Sequence, residues 1–134
     1  MNWTEVFVYG TLKPGEYNYQ CYCQGEMIQT QTAIAYGQLF QLPMGYPAMI
    51  AAEGVVYGMI LSFPHPAILQ ALDQLEDYDP YRRPEDNEYQ RQQIQTYTVD
   101  HQPLRTVWAY LMTSESIRRF PGAILIPSGC WSSV

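Results

Sequence analysis

The sequence predicts a mixed α/β (α+β) fold, a single compact domain with a small mixed beta-barrel and flanking helices. Three observations lead there. Stretches rich in β-branched and aromatic residues recur along the 134-residue chain, most of them separated by Gly, Pro, Asn or Asp. One segment alone carries convincing helical periodicity. The order of strands, one helix and further strands lacks the regular alternation that builds a doubly wound parallel sheet. The length suits one domain over residues 1–134, large enough to bury roughly two thirds of its unfolded surface. No linker-like run, internal repeat or low-complexity tract divides it.

The first strand is Val6-Phe7-Val8-Tyr9, a continuous apolar run of the kind buried on both faces. It stops at Gly10, in a loop that continues Thr11-Leu12-Lys13-Pro14-Gly15; having no side chain, Gly10 lets another molecule approach the main chain. Ala33 to Phe40 and Val55 to Phe63 are the next strands. The helix is Pro66 to Glu76, where Pro66 suits the first turn and Ile68, Leu69, Leu72 and Leu75 form one apolar stripe. Strands Tyr89 to Val99 and Arg105 to Met112 follow. A short helix over Ser114 to Phe120, capped by Ser114, is stopped by Pro121 and Gly122. Many of the 12 tyrosines fall in or beside strands, where the ring packs while the hydroxyl seeks a polar partner.

Charge and cysteine usage narrow the function. The formal charge is −6, with only 7 Lys plus Arg, which argues against a nucleic-acid partner because such binding draws on clustered cations. No apolar run approaches the roughly 20 residues of a membrane helix, and Met1-Asn2-Trp3-Thr4-Glu5 lacks the basic start and apolar core of a leader. A cytoplasmic location without membrane attachment is the expectation. Cys21, Cys23 and Cys130 are an odd number, in keeping with free thiols in a reducing compartment. A metal site built from Cys21, Cys23 and either His65 or His101 lacks a second ligand pair. A cysteine nucleophile with a distant histidine has nothing local to activate it.

The chemically suggestive helix segment is Ala71-Leu72-Asp73-Gln74-Leu75-Glu76-Asp77-Tyr78. Three carboxylates fall within five positions. Glu76 lies four residues after Leu72, so helical geometry puts it beside the buried stripe, with Asp73 on the same general side. Negative charge at a helix carboxyl end opposes the macrodipole, so a partly buried Glu76 is expected to hold its proton above the usual carboxylate value of about 4.3. Such a group can act as a proton-transfer catalyst.

Taken together, Val8-Tyr9-Gly10-Thr11-Leu12-Lys13, Gly45-Tyr46-Pro47-Ala48, Leu72-Asp73-Gln74-Leu75-Glu76 and Tyr89-Gln90-Arg91 resemble the gamma-glutamylcyclotransferase-like family, in its gamma-glutamylamine cyclotransferase-like branch. Trp108-Ala109-Tyr110 and Ile126-Pro127-Ser128-Gly129-Cys130-Trp131 extend the resemblance almost to the carboxyl terminus. The resemblance implies a compact barrel-containing domain with a cavity at its side. It also implies a cofactor-free reaction in which the alpha-amino group of a gamma-glutamyl compound attacks its own gamma-carbonyl, giving 5-oxoproline and releasing an amine or amino acid. By the same carry-over Glu76 is the catalytic base and acid, and Tyr9, Gly10, Thr11 and Leu12 hold the glutamyl moiety. Tyr110 is expected to offer a hydroxyl to the cavity, Arg91 to pair with a carboxylate or face solvent, and Gly45-Tyr46-Pro47 to shape a loop near the pocket.

The chain departs from the family pattern at two places. Asp77 stands where many relatives carry Gly, adding charge beside the proposed base, and Cys130 stands where an acidic residue is expected. The loop Tyr78 to Glu88 is placed to reshape the pocket mouth, and a pocket lined by Asp77 or Glu85 would favour a cationic amine. The partner is expected to be a small gamma-glutamyl molecule. Two alternatives are a noncatalytic metabolite-binding protein that keeps fold and pocket, and an interaction domain presenting exposed Tyr and Trp.

Overall fold

The computed structural model describes residues 3–23, 25–26 and 29–133; Met1 and Asn2 of the leader reading lie outside the described residues. The buried run predicted at the amino end forms β1 (Thr4–Val8). Its two faces serve different packing layers: Val6 and Val8 belong to a cluster that includes Leu61, Leu72, Tyr110 and Ile117, whereas Phe7 packs with Ala33, Leu39, Ile60, Ala109 and Trp131. Alternation of side chains across a strand accounts for the split, and burial of both faces accounts for the unbroken apolar sequence.

The second and third strands are longer than the sequence predicts, β2 spanning Gln29–Gln41 and β3 spanning Pro47–Phe63. They form one long antiparallel hairpin, with Gln41 opposite Pro47 and a register shift between Tyr36 and Gln38. Polar residues Gln29 to Thr32 hid its open end from composition, whereas the unpredicted start of β3 at the closed end, Pro47 to Gly54, is largely apolar. At the closed end Leu42 accepts from the Gly45 amide at 3.0 Å and donates to the Tyr46 carbonyl at 3.0 Å. That turn delivers Tyr46 and Pro47 to one rim of the sheet.

Helix α1 runs over Ile68–Leu75, two residues inside the predicted amino end. Strands β4 (Gln90–Tyr97) and β5 (Pro103–Leu111) follow as an antiparallel pair. Helix α2 covers Ser114–Arg118, and its cap is Thr113 in place of the predicted Ser114: the Thr113 hydroxyl accepts from the Ser116 amide. Extended backbone at Thr113 leaves its side chain free to turn back on the first turn, which Ser114, already helical, cannot do. A two-residue β6 (Ile124–Leu125) and a π-helical turn at Tyr19–Cys23 were not anticipated.

The pairing order is β3-β1-β5-β4-β2-β6, and β2 also pairs with β3, so five strands close a ring with β6 outside it. β1 runs antiparallel to β3 and parallel to β5. The predicted barrel is thus a ring, joined between β2 and β4 at one pair, Ile34 with Tyr97. Helix α1 covers one face through Leu72. The carboxyl-terminal segment closes the other: Trp131 is buried, its Nε1 donates to Gln41 Oε1 at 2.7 Å, and its carbonyl accepts from Lys13 Nζ. Gly129 permits this approach, since a Cβ there would lie 1.9 Å from the Val55 carbonyl oxygen.

Candidate active site

A cavity of about 160 Å³ opens where several segments meet, and Tyr9, Gly10, Thr11, Leu12, Glu76 and Tyr110 all line it. Those are the residues the sequence singles out. Asn18, Tyr46, Pro47, Glu88 and Tyr89 line it as well. The Tyr9–Leu12 loop leaves the end of β1 and is braced from behind: Lys13 donates its amide to the Gly10 carbonyl at 2.9 Å, Tyr19 to the Thr11 carbonyl at 3.1 Å, and Asn18 Nδ2 to Thr11 Oγ1 at 2.8 Å. Outside the strand ladders, no described residue accepts from the Thr11 or Leu12 amide. A loop of this kind offers donors to an anionic oxygen.

Gly10 lines the cavity and has a second, unexpected part in its wall. A Cβ at this position would fall 2.6 Å from Pro47 Cγ, so the missing side chain lets the loop close against the Pro47 ring and makes a continuous pocket wall. Pro47 in turn accepts the Tyr89 hydroxyl at its carbonyl, 2.7 Å away.

The tyrosines of the pocket are tied to protein. Tyr9 donates to the Tyr110 carbonyl at 2.6 Å, and Tyr46 donates to Glu88 Oε2. Tyr110, expected to offer a hydroxyl to the cavity, lines it but donates that hydroxyl to Asp73 Oδ1 at 2.7 Å. Burial is the leading cause that pushes the phenols of Tyr9, Tyr46, Tyr89 and Tyr110 well above their ordinary range, so they remain neutral. Asp73 has a structural assignment, held also by Arg91 Nη1 at 2.8 Å, while the Arg91 guanidinium stacks over Trp108.

Glu76 caps the carboxyl end of α1. The chain then leaves the helix through a left-handed residue: Asp77 has φ +53°, its amide donates to the Gln74 carbonyl at 3.3 Å, and the Tyr78 amide donates to the Asp73 carbonyl at 2.9 Å. This double closure is the turn that favours Gly after a helix, and Asp is among the few other residues that tolerate it. The geometry fixes the direction in which Glu76 projects. Burial, first, and the Glu88 charge, second, raise its carboxyl to about 8. The expected influence of Asp77 is corrected here, because its carboxylate turns outward to Arg82 at 3.0 Å. Glu85 likewise pairs with Arg83, at 3.4 Å. The second acid of the pocket is Glu88.

The thiols lie elsewhere. Cys23 is buried and its thiol is pushed up to about 12 by burial, the reverse of an activated nucleophile. Cys21 and His65 border a separate hollow, and Cys130 is exposed. Among the described residues, no three His, Cys, Asp or Glu side chains gather into a group able to hold a metal ion. No described helix is long and apolar enough to cross a membrane.

Sequence reasoning did not single out Glu88 or Asn18, whereas Tyr46 and Pro47, expected in a loop near the pocket, line it. Nothing local could show that the loop folds back.

Residues 6–133 match the model of a family described as gamma-glutamyl cyclotransferase, AIG2-like. No curated protein matches the sequence. Among solved structures, an AIG2-like protein from Mus musculus is similar with a TM-score of 0.73 at 19% identity, over 98% of this chain and 90% of that one. YkqA from Bacillus subtilis is similar with a TM-score of 0.67 at 24% identity, over 97% of this chain, which spans only 40% of the length of YkqA. A protein described as gamma-glutamyl cyclotransferase is similar with a TM-score of 0.61 at 15% identity, over 84% of this chain and 68% of that one.

Proposed function

Because the chain belongs to the gamma-glutamyl cyclotransferase, AIG2-like family, we propose that it cyclises the gamma-glutamyl half of a small substrate to 5-oxoproline and releases the attached amine or amino acid. The observation that carries this reading is Glu76: a carboxyl raised to about 8, in a cavity whose tyrosine hydroxyls are already engaged.

The reacting nucleophile belongs to the substrate, so the protein has two tasks. It must fold the flexible glutamyl chain so that nitrogen reaches carbonyl carbon, and it must move protons. The Thr11 and Leu12 amides and the Asn18–Thr11 pair suit the alpha-carboxylate or the oxyanion forming on the gamma-carbonyl. Ionised Glu76 takes a proton from the alpha-ammonium; the freed amine attacks the gamma-carbon; the carbon–nitrogen bond to the leaving group breaks as Glu76 returns that proton to the leaving nitrogen, and Glu76, ionised again, takes the second proton that the ring nitrogen sheds, which passes on to the released amine. The alpha-amino group of a peptide titrates at roughly 8, and one beside a free carboxylate holds its proton more tightly, so a carboxyl raised to about 8 narrows the gap in proton affinity far more than an ordinary carboxylate would and lets one group work as base and then acid.

The test is 5-oxoproline formation, followed by mass spectrometry, from a panel of gamma-glutamyl amino acids and amines. Glu76→Gln runs alongside. Product that falls roughly 10²- to 10⁴-fold in the variant supports the assignment. Product formed equally by the variant removes Glu76 from the mechanism, and saturable binding without product from any compound favours the metabolite-binding alternative.

A further inference from the structure

Lys13 is the only lysine in the 134-residue sequence, and it is half-buried, with its ammonium donating to a main-chain carbonyl, that of Trp131. Lysine ordinarily keeps its charged head in water. An ammonium is strongly hydrated on a flexible stem, so holding it against one carbonyl costs rotamer freedom and part of its hydration. The bond joins segments 118 positions apart. Lys13 directly follows the Tyr9–Leu12 loop that lines the cavity, whereas Trp131 belongs to a carboxyl-terminal segment that does not line it.

That segment is fixed independently of the loop. The Ile126 amide donates to the Leu39 carbonyl at 2.8 Å, the Tyr57 amide donates to the Gly129 carbonyl at 2.8 Å, and the missing side chain of Gly129 lets the segment lie against Val55. Trp131, buried in the cluster of Phe7, Leu39 and Met49, then reaches in two directions. Its carbonyl holds Lys13, at the end of one pocket wall, and its Nε1 donates to Gln41 Oε1 at 2.7 Å. Gln41 stands opposite Pro47 in the β2–β3 hairpin, and Pro47 is the other wall. The walls touch where Gly10 meets the Pro47 ring. One residue outside the cavity thus ties together both sides of that contact.

We infer that the Lys13–Trp131–Gln41 bridge is a clamp that holds the Tyr9–Leu12 loop against Pro47, which makes these three side chains positioning residues for the reaction although none of them lines the cavity. Main-chain donors stabilise an anionic oxygen only when they are already aimed at it. Without the clamp the loop is in its binding arrangement for only a fraction of the time, and apparent affinity falls by that fraction. The complex, once formed, is the same. Loss of the clamp therefore raises KM and leaves kcat in place. In this kinetic form the inference rests on the cyclotransferase reading.

Three variants test the clamp on the gamma-glutamyl compound that the wild type turns over best. Lys13→Met keeps the aliphatic stem and removes the ammonium, Lys13→Arg keeps a cationic donor, and Gln41→Leu removes the acceptor of the Trp131 indole. Lys13→Met should raise KM roughly tenfold, the low end for a hydrogen bond from a charged group, with kcat within about twofold of wild type. Lys13→Arg should recover most of the loss. Gln41→Leu should raise KM as well, and the two effects combined in one chain should fall well short of their product, because both act through Trp131. Effects that simply multiply, a loss carried by kcat, or a lowered thermal midpoint with KM unchanged overturn the clamp and leave the cyclotransferase reading intact. If the wild type turns over no compound, amide hydrogen exchange decides. The Lys13 and Tyr19 amides close the loop onto the Gly10 and Thr11 carbonyls. Lys13→Met should speed their exchange roughly tenfold and leave the β4–β5 ladder as it was, which supports the clamp without the reaction; exchange that is unchanged, or faster throughout the sheet, overturns it.

Discussion

Glu76→Gln should do two opposed things, abolishing turnover while stabilising the fold, and the second effect has a definite pH signature. The carboxyl titrates at about 8 in the folded protein, against an ordinary value of 4.5. A folded value above the unfolded one means that the native state binds more protons between these limits, so stability falls as pH rises. The contribution is fully present below about pH 4.5, declines by roughly 1.4 kcal/mol per pH unit, and is lost above about pH 8. Across the window the shift corresponds to about 5 kcal/mol, an upper figure because local relaxation and water entry reduce it. Gln is neutral throughout and nearly the same shape. The difference in unfolding free energy, variant minus wild type, measured by urea denaturation from pH 5 to pH 9, should therefore increase with pH by a few kcal/mol and level off near pH 8. Groups outside the pocket titrate alike in both proteins and cancel. A difference that stays flat across this range would refute the claim that Glu76 is held in a desolvated pocket, whatever its effect on turnover.

Three further outcomes follow from the site's geometry. The pH midpoint of kcat/KM should move down from about 8 in Glu88→Gln, which removes the neighbouring charge, and stay in place in Asp77→Asn, whose carboxylate faces Arg82; pH–rate profiles distinguish the two. Asp73→Ala strips Arg91 and the Tyr110 hydroxyl of their shared acceptor, so thermal or urea unfolding should show a loss of about 2–4 kcal/mol. Gly10→Ala puts a methyl group 2.6 Å from Pro47 Cγ, displacing the pocket wall; steady-state kinetics should show KM raised roughly tenfold or more, a misplacement effect, and an unaltered KM in a folded variant would dissociate this contact from the site.

A strand buried on both faces announces itself by an unbroken apolar run, so β1 and the loop at its end were legible from Val6-Phe7-Val8-Tyr9-Gly10. The α1 stripe was legible because helical spacing is a local property, and with it the position of Glu76 at a buried edge. The long β2–β3 hairpin was only half visible, since Gln29 to Thr32 are polar and its pairing, including that of the apolar start of β3, is settled by contact between strands. What tertiary structure alone decided is which acid stands next to which charge. Asp77 adjoins Glu76 in sequence yet turns away to Arg82, whereas Glu88, twelve residues on, comes to share its cavity. A left-handed turn after the helix and a loop pinned by Asn87 bring this about. Proton affinity depends on burial and on charges within a few ångströms, and those distances are set by the folded chain and not by separation along it.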